Sequence, residues 1–475
     1  MFPHTAPLRR RGVVLVAVLV VGGVAAAGQV GARARPAVRI VPLPGMAPQA
    51  LLLDAHTDRA VVLSLRGAGG DVTIVDTEAG RVVRDLAVPG PVDAVALGRD
   101  RLLVAHAVAA GSERVLVLDT RRGAVVRALT VGPAFPQSIG ADALAIDDAG
   151  RQAAVLNPTD GTLRLLDLGT ARVSRALRVG RGADAVAVDG RAGRVFVLER
   201  DRGRVGLFDL VTGARMRDIA VGRGPGRIVV DEAAGRALVS NLDDGTVSVL
   251  DTRAGSVVGT VPAGGGPVTI DARSGRAFVS DTSVPGSVTM LDVRRGVALR
   301  VIAAGNLPGQ SVVDARTGRV FIPVTFGNNS DTVVTAFDLH DGRPVGAAYL
   351  GLTDGAAGLM PGTAGTLAVD VARGRLDGVA VGLTGANGQA VGAGALRRID
   401  TRTGAVMRST PVGANPLAVA VDGRDGQVVV VDAGGSAPRS DPWAPLRRAF
   451  APWLPAPVSQ GAQLVPGDVR IVDDP

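Results

Sequence analysis

An all-β ring of repeated four-stranded units is predicted by three observations. A phrase recurs at a near-constant period, turn residues keep fixed offsets within each copy, and the apolar runs are strand-like with no helical periodicity. The clearest copy is GRALVSNLDDGTVSVLDTRAGSVVGTVPAG, residues 235–264. Its strand-ending aspartate returns as Asp76, Asp119, Asp167, Asp209, Asp251, Asp292, Asp338, Asp400 and Asp473, mostly 41 to 48 residues apart. Each unit holds four β-branched runs, as in AVAVD, GRVFVLE, RVGLFD and RMRDIAVG between residues 185 and 222. Four short strands per period of roughly 42 residues is the pattern of a β-propeller blade. The prediction is a single propeller of eight or nine antiparallel blades, nine units being counted.

The elements follow in order. The first strand of a unit ends in Asp and the second opens on Arg five residues later, at Asp54/Arg59, Asp189/Arg194, Asp231/Arg236, Asp271/Arg276, Asp314/Arg319 and Asp370/Arg375. The first hairpin therefore has one length. The third strand ends in Asp with Gly four residues on, at Asp76/Gly80, Asp119/Gly123, Asp209/Gly213, Asp251/Gly255, Asp292/Gly296, Asp338/Gly342 and Asp400/Gly404. An Asp side chain accepting turn N–H groups, with Gly at positive φ, explains that spacing. Strands apolar on both faces fit blades sandwiched between neighbours. The last unit has three strands (417–422, 427–432 and 468–473), and AVRIVPLPG, residues 37–45, matches the fourth-strand phrase VVRDLAVPG, residues 82–90. The N-terminal strand is expected to complete the C-terminal blade and close the ring.

Composition narrows the chemistry. The 475 residues include 52 basic and 44 acidic side chains, no Cys, and 47% apolar residues of which few are aromatic. Every basic residue is Arg, so Schiff-base lysines and the lysine of a phosphate-binding loop are excluded. Absent Cys excludes thiol catalysis, disulfides and cysteine metal sites. The net charge of +8 is modest for this length, and one Tyr with two Trp argues against a nucleic-acid partner. Arg9, Arg10 and Arg11 precede an apolar stretch from Gly12 to Gly28 containing Ala25 and Ala27, the anatomy of a signal peptide cleaved after Ala27, with an uncleaved membrane anchor as the alternative. Residues 28–36 read as a linker and 37–475 as the propeller, with a loop at 433–467. The protein is expected to work outside the cytoplasm, secreted, periplasmic or at the cell surface, as a monomer touching membrane only through an uncleaved leader.

The phrases ALVSNLDDGTVSVLDTRAG and AFVSDTSVPGSVTMLDVRRG resemble the YVTN-type β-propeller repeats of bacterial and archaeal cell surfaces. The resemblance covers nearly everything after residue 36. Thr325 or Val324 and Gly382 depart from it where Asn is expected. It implies an extracytoplasmic propeller with a binding or surface role and carries no catalytic motif. A weaker similarity to NHL and gluconolactonase-type propellers implies a second reading, a metal-dependent hydrolase or lactonase-like enzyme.

The insertions point to one face. Those at 107–114, 282–286, 326–331, 382–395 and 433–467 follow second strands, and those at 133–140 and 351–365 follow fourth strands. In a meander both kinds of connection emerge on the same side of the disc, while the fixed-length hairpins lie on the other. Variable loops on a rigid scaffold carry function, so a site is expected on the elaborated face, around the channel mouth. There, Asp93, Asp142 and Asp184 occupy one position in three consecutive innermost strands and could hold Ca²⁺ or another divalent cation, although no cofactor is required; each could equally cap its own strand. Second strands end in a polar collar of Ser64, His106, Asn157, Glu199, Asn241, Asp281 and Asp432, candidates for ligand contact or for turn formation. Arg227 could bind an anion or pair with Asp184. Trp443, Phe450 and Trp453 flank Arg447 and Arg448 and suit a lid, a partner or a membrane interface. No His-Glu-x-x-His or Gly-x-Ser-x-Gly motif is present, so no catalytic residue is assigned. The leading expectation is a non-enzymatic scaffold binding a protein, glycan or small ligand.

Overall fold

The computed structural model describes residues 38–473 except 55, 67–68, 109–110, 136–139, 282–285, 306–307, 327–330, 353–365, 381–393, 414 and 434–465. Seven four-stranded antiparallel sheets and one seven-stranded sheet make nine blades. The larger sheet is two blades fused by one 17-residue strand, Val38–Asp54. Its first part, Val38 to Pro42, pairs with Val472 to Asp468 as the fourth strand of blade 9. Its second part, Ala50 to Asp54, pairs with Leu63 to Arg59 as the first strand of blade 1. The predicted closure is therefore observed.

Nine apolar clusters lie one between each pair of neighbouring blades, including the pair that closes the ring around Val41, Leu51, Val62 and Val431. Both faces of each sheet are thereby buried, which is why the strands read as continuous apolar runs rather than alternations. Most contacts are Ala, Val and Leu, with Phe196, Phe278 and Phe321 as the largest fully buried side chains.

One face is held by repeated turn chemistry. In blade 5, Asp251 Oδ1 accepts the N–H groups of Arg253 (3.0 Å) and Ala254 (2.8 Å), and Gly255 follows at φ +62°. In six blades the arginine that opens the second strand lies opposite that aspartate and bridges to it: Arg59–Asp76 at 2.9 Å, Arg101–Asp119 at 3.3 Å, Arg194–Asp209 at 3.4 Å, Arg236–Asp251 at 2.7 Å, Arg276–Asp292 at 3.2 Å and Arg319–Asp338 at 3.1 Å, while blade 3 has Gln152 there and Arg375 of blade 8 meets Asp370 and Asp377. Two repeat landmarks of the sequence are thus the two halves of one ion pair. Blade 9 has Gln427 in the arginine position, and Arg39 supplies the missing charge. Its guanidinium meets Asp473 through two bonds of 3.0 and 2.8 Å, while Gln427 Nε2 donates to the same carboxylate at 3.0 Å. The closing blade reproduces the pattern with a residue from the other end of the chain.

Two insertions are shorter than the sequence reading placed them. In blade 2 the second strand runs on to Val108 and the third begins at Ser112, with Ala107 opposite Glu113. In blade 7 Phe326 pairs with Asp331. Both hairpin arms lengthen because the added residues continue the ladder and satisfy their own backbone groups.

Candidate functional site

The position shared by Asp93 and Asp184 is a β-bulge. In five blades the innermost strand skips one residue at that point: Gln49, Asp93, Asp184, Gly226 and Leu417 in blades 1, 2, 4, 5 and 9. In blade 3, Asp142 lies in a 3-10 turn, Gly140–Ala143, directly ahead of its strand. A bulge frees one side chain from the alternation and re-aims it, so this position on the elaborated face is open to non-repetitive use. The register also corrects the placement of Arg227. Gly226 is the equivalent of Asp184, and Arg227 is one residue further.

The three aspartates do not assemble into one cation site. Among the described residues no group of three or more His, Cys, Asp or Glu is arranged to hold a metal. Each aspartate has its own partner instead. Asp93 hydrogen-bonds to Glu113 of the third strand of its blade and accepts the N–H of Ala107. Asp142 feels the charge of Arg227 of blade 5, whereas the charges acting on Asp184 are those of Arg200 and Asp201 rather than Arg227. Burial is the largest influence on all three and pushes their carboxyls up.

The Asp93–Glu113 pair is the least ordinary feature of this face. Asp93 is 8% exposed and Glu113 not at all. Burial, reinforced by the charge of Asp93, pushes Glu113 up to about 8, while burial pushes Asp93 up to about 6. Two buried carboxyls in contact share a proton because both cannot be ionised without a counter-charge. Glu113 Oε2 accepts the N–H of Phe135 at 3.1 Å, and its Oε1 has no hydrogen-bond partner. His106 lies alongside, buried, with Nδ1–H donating to the Ala107 carbonyl at 3.1 Å. Burial lowers its pKa and keeps the ring neutral, with Arg114 acting in the same direction.

The rest of the collar is largely consumed by the fold. Asn157 Nδ2 donates to the carbonyls of Val131 (2.9 Å) and Pro133 (2.8 Å) in blade 2, and its Oδ1 accepts Thr159 N–H at 3.0 Å, so it clasps two blades together. Glu199 is held by Arg202, Arg204 and Arg215 at 2.9, 2.7 and 2.6 Å. Burial works against its charge, but these three hydrogen bonds outweigh it and hold its carboxyl low. Asn241 Nδ2 donates to Thr246 and Ser248 hydroxyls, both at 3.0 Å, inside its own blade. Asp432 accepts Asn415 N–H at 2.7 Å and faces Arg470 at 3.6 Å. Asp281 is half-buried at its strand end. Trp443, Phe450 and Trp453 lie outside the described residues.

Sequence reasoning missed Glu113 and Arg200. Glu113 was counted within the 107–114 insertion, and its only signal was a carboxylate at the start of an otherwise apolar strand. On the opposite face, Glu232 of blade 5 accepts N–H groups from Asp148 of blade 3 (2.8 Å) and Arg191 of blade 4 (3.2 Å). These two bonds tie blades 3 to 5 to one another on that face. A shallow recess of about 160 Å³ on the uniform face is lined by Ala233, Ala234, Gly235, Arg236, Asp251 and Arg253. It is smaller than ordinary ligand pockets, and its charged walls include the Arg236–Asp251 turn pair, so the elaborated face remains the candidate.

No family model matches the chain, and no curated protein matches it in sequence. Solved structures do match in fold. The dihydro-heme d1 dehydrogenase NirN in complex with DHE is 15% identical with TM-score 0.50, over 76% of this chain and 72% of that one. A eukaryotic initiation factor is 13% identical with TM-score 0.53, over 78% and 89%. BamB from Moraxella catarrhalis is 17% identical with TM-score 0.45, over 80% and 93%. These neighbours are β-propeller proteins. Identity this low carries the fold and nothing finer. Among the described residues no helix is long and apolar enough to cross a membrane.

Proposed function

We propose that this propeller is a non-enzymatic binding scaffold, working outside the cytoplasm, whose ligand or partner docks on the elaborated face over the innermost strands of blades 2 to 5. One observation carries the reading. The uniform face spends its recurring charges on the turn and ion-pair pattern, whereas the opposite rim leaves its bulged position unrepeated around the ring, with Gln49, Asp93, Asp184, Gly226 and Leu417 in blades 1, 2, 4, 5 and 9. Sequence freedom at a fixed, rigid position is how one scaffold acquires a specific surface. The leader-like N-terminus and the resemblance to YVTN-type surface propellers support an extracytoplasmic setting. The mixture of Asp184, Arg200 and Arg227 at the mouth suits a polar ligand, such as a glycan or a charged peptide segment.

The test compares the two faces. Wild-type protein and the variants Asp184→Ala, Arg227→Ala and Arg253→Ala are screened against arrayed glycans and peptides. A ligand whose affinity drops at least about tenfold, or 1.4 kcal/mol, with the first two variants and holds with Arg253→Ala supports the reading. A ligand lost only with Arg253→Ala moves the site to the uniform face.

A further inference from the structure

We propose that the outer strand of blade 3, Arg172–Arg178, is a docking edge for an extended acidic peptide segment, which adds to the sheet as a fifth strand and sets its carboxylates against arginines on both faces. The inference concerns the outer wall of the disc and stands whether or not a ligand binds the elaborated face. The strand RVSRALR carries three arginines and no acid. The outer strands of blades 5 and 7, Ser256–Pro262 and Pro344–Leu352, carry no charge, and those of blades 1 and 4 hold two arginines and one aspartate each. Arg172, Arg175 and Arg178 are exposed, and among the described residues no carboxylate bridges to them. Arg175 meets only carbonyls, of Ser174 at 2.7 Å and of Thr212 in blade 4 at 3.3 Å. Asp160 and Asp167, at the two ends of the adjacent strand, are taken up by Thr162 and Thr170.

Register distributes these cations over both faces of the edge. Arg172 and Arg175 lie level with Asp167 and Leu165, on the side that packs against blade 4. Arg178 lies level with Thr162, on the side of Arg164 and Leu166 that faces blade 2, where Arg127 of the neighbouring outer strand shares the groove. The strand is the last of its sheet, so its outward backbone N–H and C=O groups face no other strand. An added strand would lie about 4.8 Å away with its side chains alternating between the faces, so acids at successive positions meet arginines on each. Backbone pairing supplies affinity and the alternate side chains supply selection. The ladder is regular from Arg175 to Arg178, and the bulge at Ser174 ends it. A second copy of this edge would set arginine against arginine, so the charges that oppose self-pairing attract an acidic strand.

Fluorescence anisotropy of the full chain tests it, with a labelled, capped peptide of about eight residues built from Glu and Val, Glu lying on both faces of the extended strand. Affinity should fall at least about tenfold in the triple variant Arg172→Gln, Arg175→Gln, Arg178→Gln and when Gln replaces Glu in the peptide. The same loss is expected for one of two peptides N-methylated at alternate residues, since only one set of N–H groups faces the edge. The variant Arg121→Gln, Arg294→Gln, Arg402→Gln removes equal charge from exposed turns of other blades and should bind like wild type. Equal loss in both triple variants, or full binding of both N-methylated peptides, reduces the strand to general charge attraction and overturns the proposal. So does absence of binding up to about 1 mM peptide, including the case in which a sulfated oligosaccharide or phosphatidylglycerol vesicles bind instead. Hydrogen exchange of the wild type gives an answer that needs no variant. The peptide should slow exchange in segment 172–179 and leave segment 256–262 unchanged, and unslowed exchange in 172–179 overturns the docking edge.

Discussion

The two faces of the disc use the same amino acids in opposite ways. On the uniform face, aspartates accept turn N–H groups and meet arginines at ladder-fixed distances. Hydrogen bonding holds several of them low, as the backbone bonds of Thr212 do for Asp209 and those of Thr403 for Asp400. On the elaborated face, Asp93, Glu113 and Asp142 are buried without a hydrogen-bonded cation, and burial pushes them up. Carboxylates on the first face stabilise the fold most when ionised. Asp93, Glu113 and Asp142 are a cost when ionised, unlike Glu199 on the same rim, which three arginines hold low, and this marks them as kept for something other than stability.

Removing the closure of the uniform face should have the largest effect. Deleting residues 1–45 takes away Arg39 and the buried side chains of Val41 and Leu43. Losing that apolar burial alone is expected to cost roughly 3 to 6 kcal/mol, seen as a lower denaturation midpoint and a broadened transition. An unchanged midpoint would mean that blade 9 does not need its fourth strand.

The pH dependence of stability sharpens the contrast next. The folded-state pKa of Glu113 lies above its unfolded value, so the folded state holds the extra proton, and stability falls as pH rises from about 4.5 towards about 8. The slope approaches 1.4 kcal/mol per pH unit for one proton. Glu113→Gln should flatten this limb of the urea-denaturation profile. The lowered aspartates of the uniform face act the other way, since their contribution is lost only as pH falls below about 4.

A smaller effect is expected at a single turn. Asp251→Ala removes two turn N–H acceptor bonds and the Arg236 bridge, at a cost of about 1 to 2 kcal/mol in chemical denaturation, because the site is partly exposed. The smallest change is predicted for Asp142→Asn at about pH 8. It should be neutral or stabilising by up to about 1 kcal/mol, since Asp142 Oδ2 is buried with no hydrogen-bond partner. A loss of more than about 2 kcal/mol there would show that the Arg227 charge outweighs desolvation.

Much of the fold was legible because its signals are local. An Asp with Gly four residues on encodes a hairpin by itself, and its repetition gives the blades and the ring. Even the exception is physical. In blade 3 Ala171 stands where Gly is expected, at φ +51°, with its methyl buried between blades 2 and 3, so packing offsets part of the backbone strain. The site was legible only as a region. Asn157 and Glu199 carry the same sequence signal as His106, a polar residue at a second-strand end. Yet Asn157 is bound by carbonyls 24 and 26 residues earlier, and Glu199 by arginines up to 16 residues later.

The sequence by itself determined the blade, its turns, the closure of the ring and which face would vary, because each follows from period, turn chemistry and chain connectivity. The tertiary structure alone decided the number nine and the partner of every collar residue. Spacing along the chain does not say which side chain a bulge re-aims or which blade lies opposite. Asn157 of blade 3 binds the Val131 and Pro133 carbonyls of blade 2, and Glu232 of blade 5 binds N–H groups of blades 3 and 4, because strand register and ring curvature bring them together.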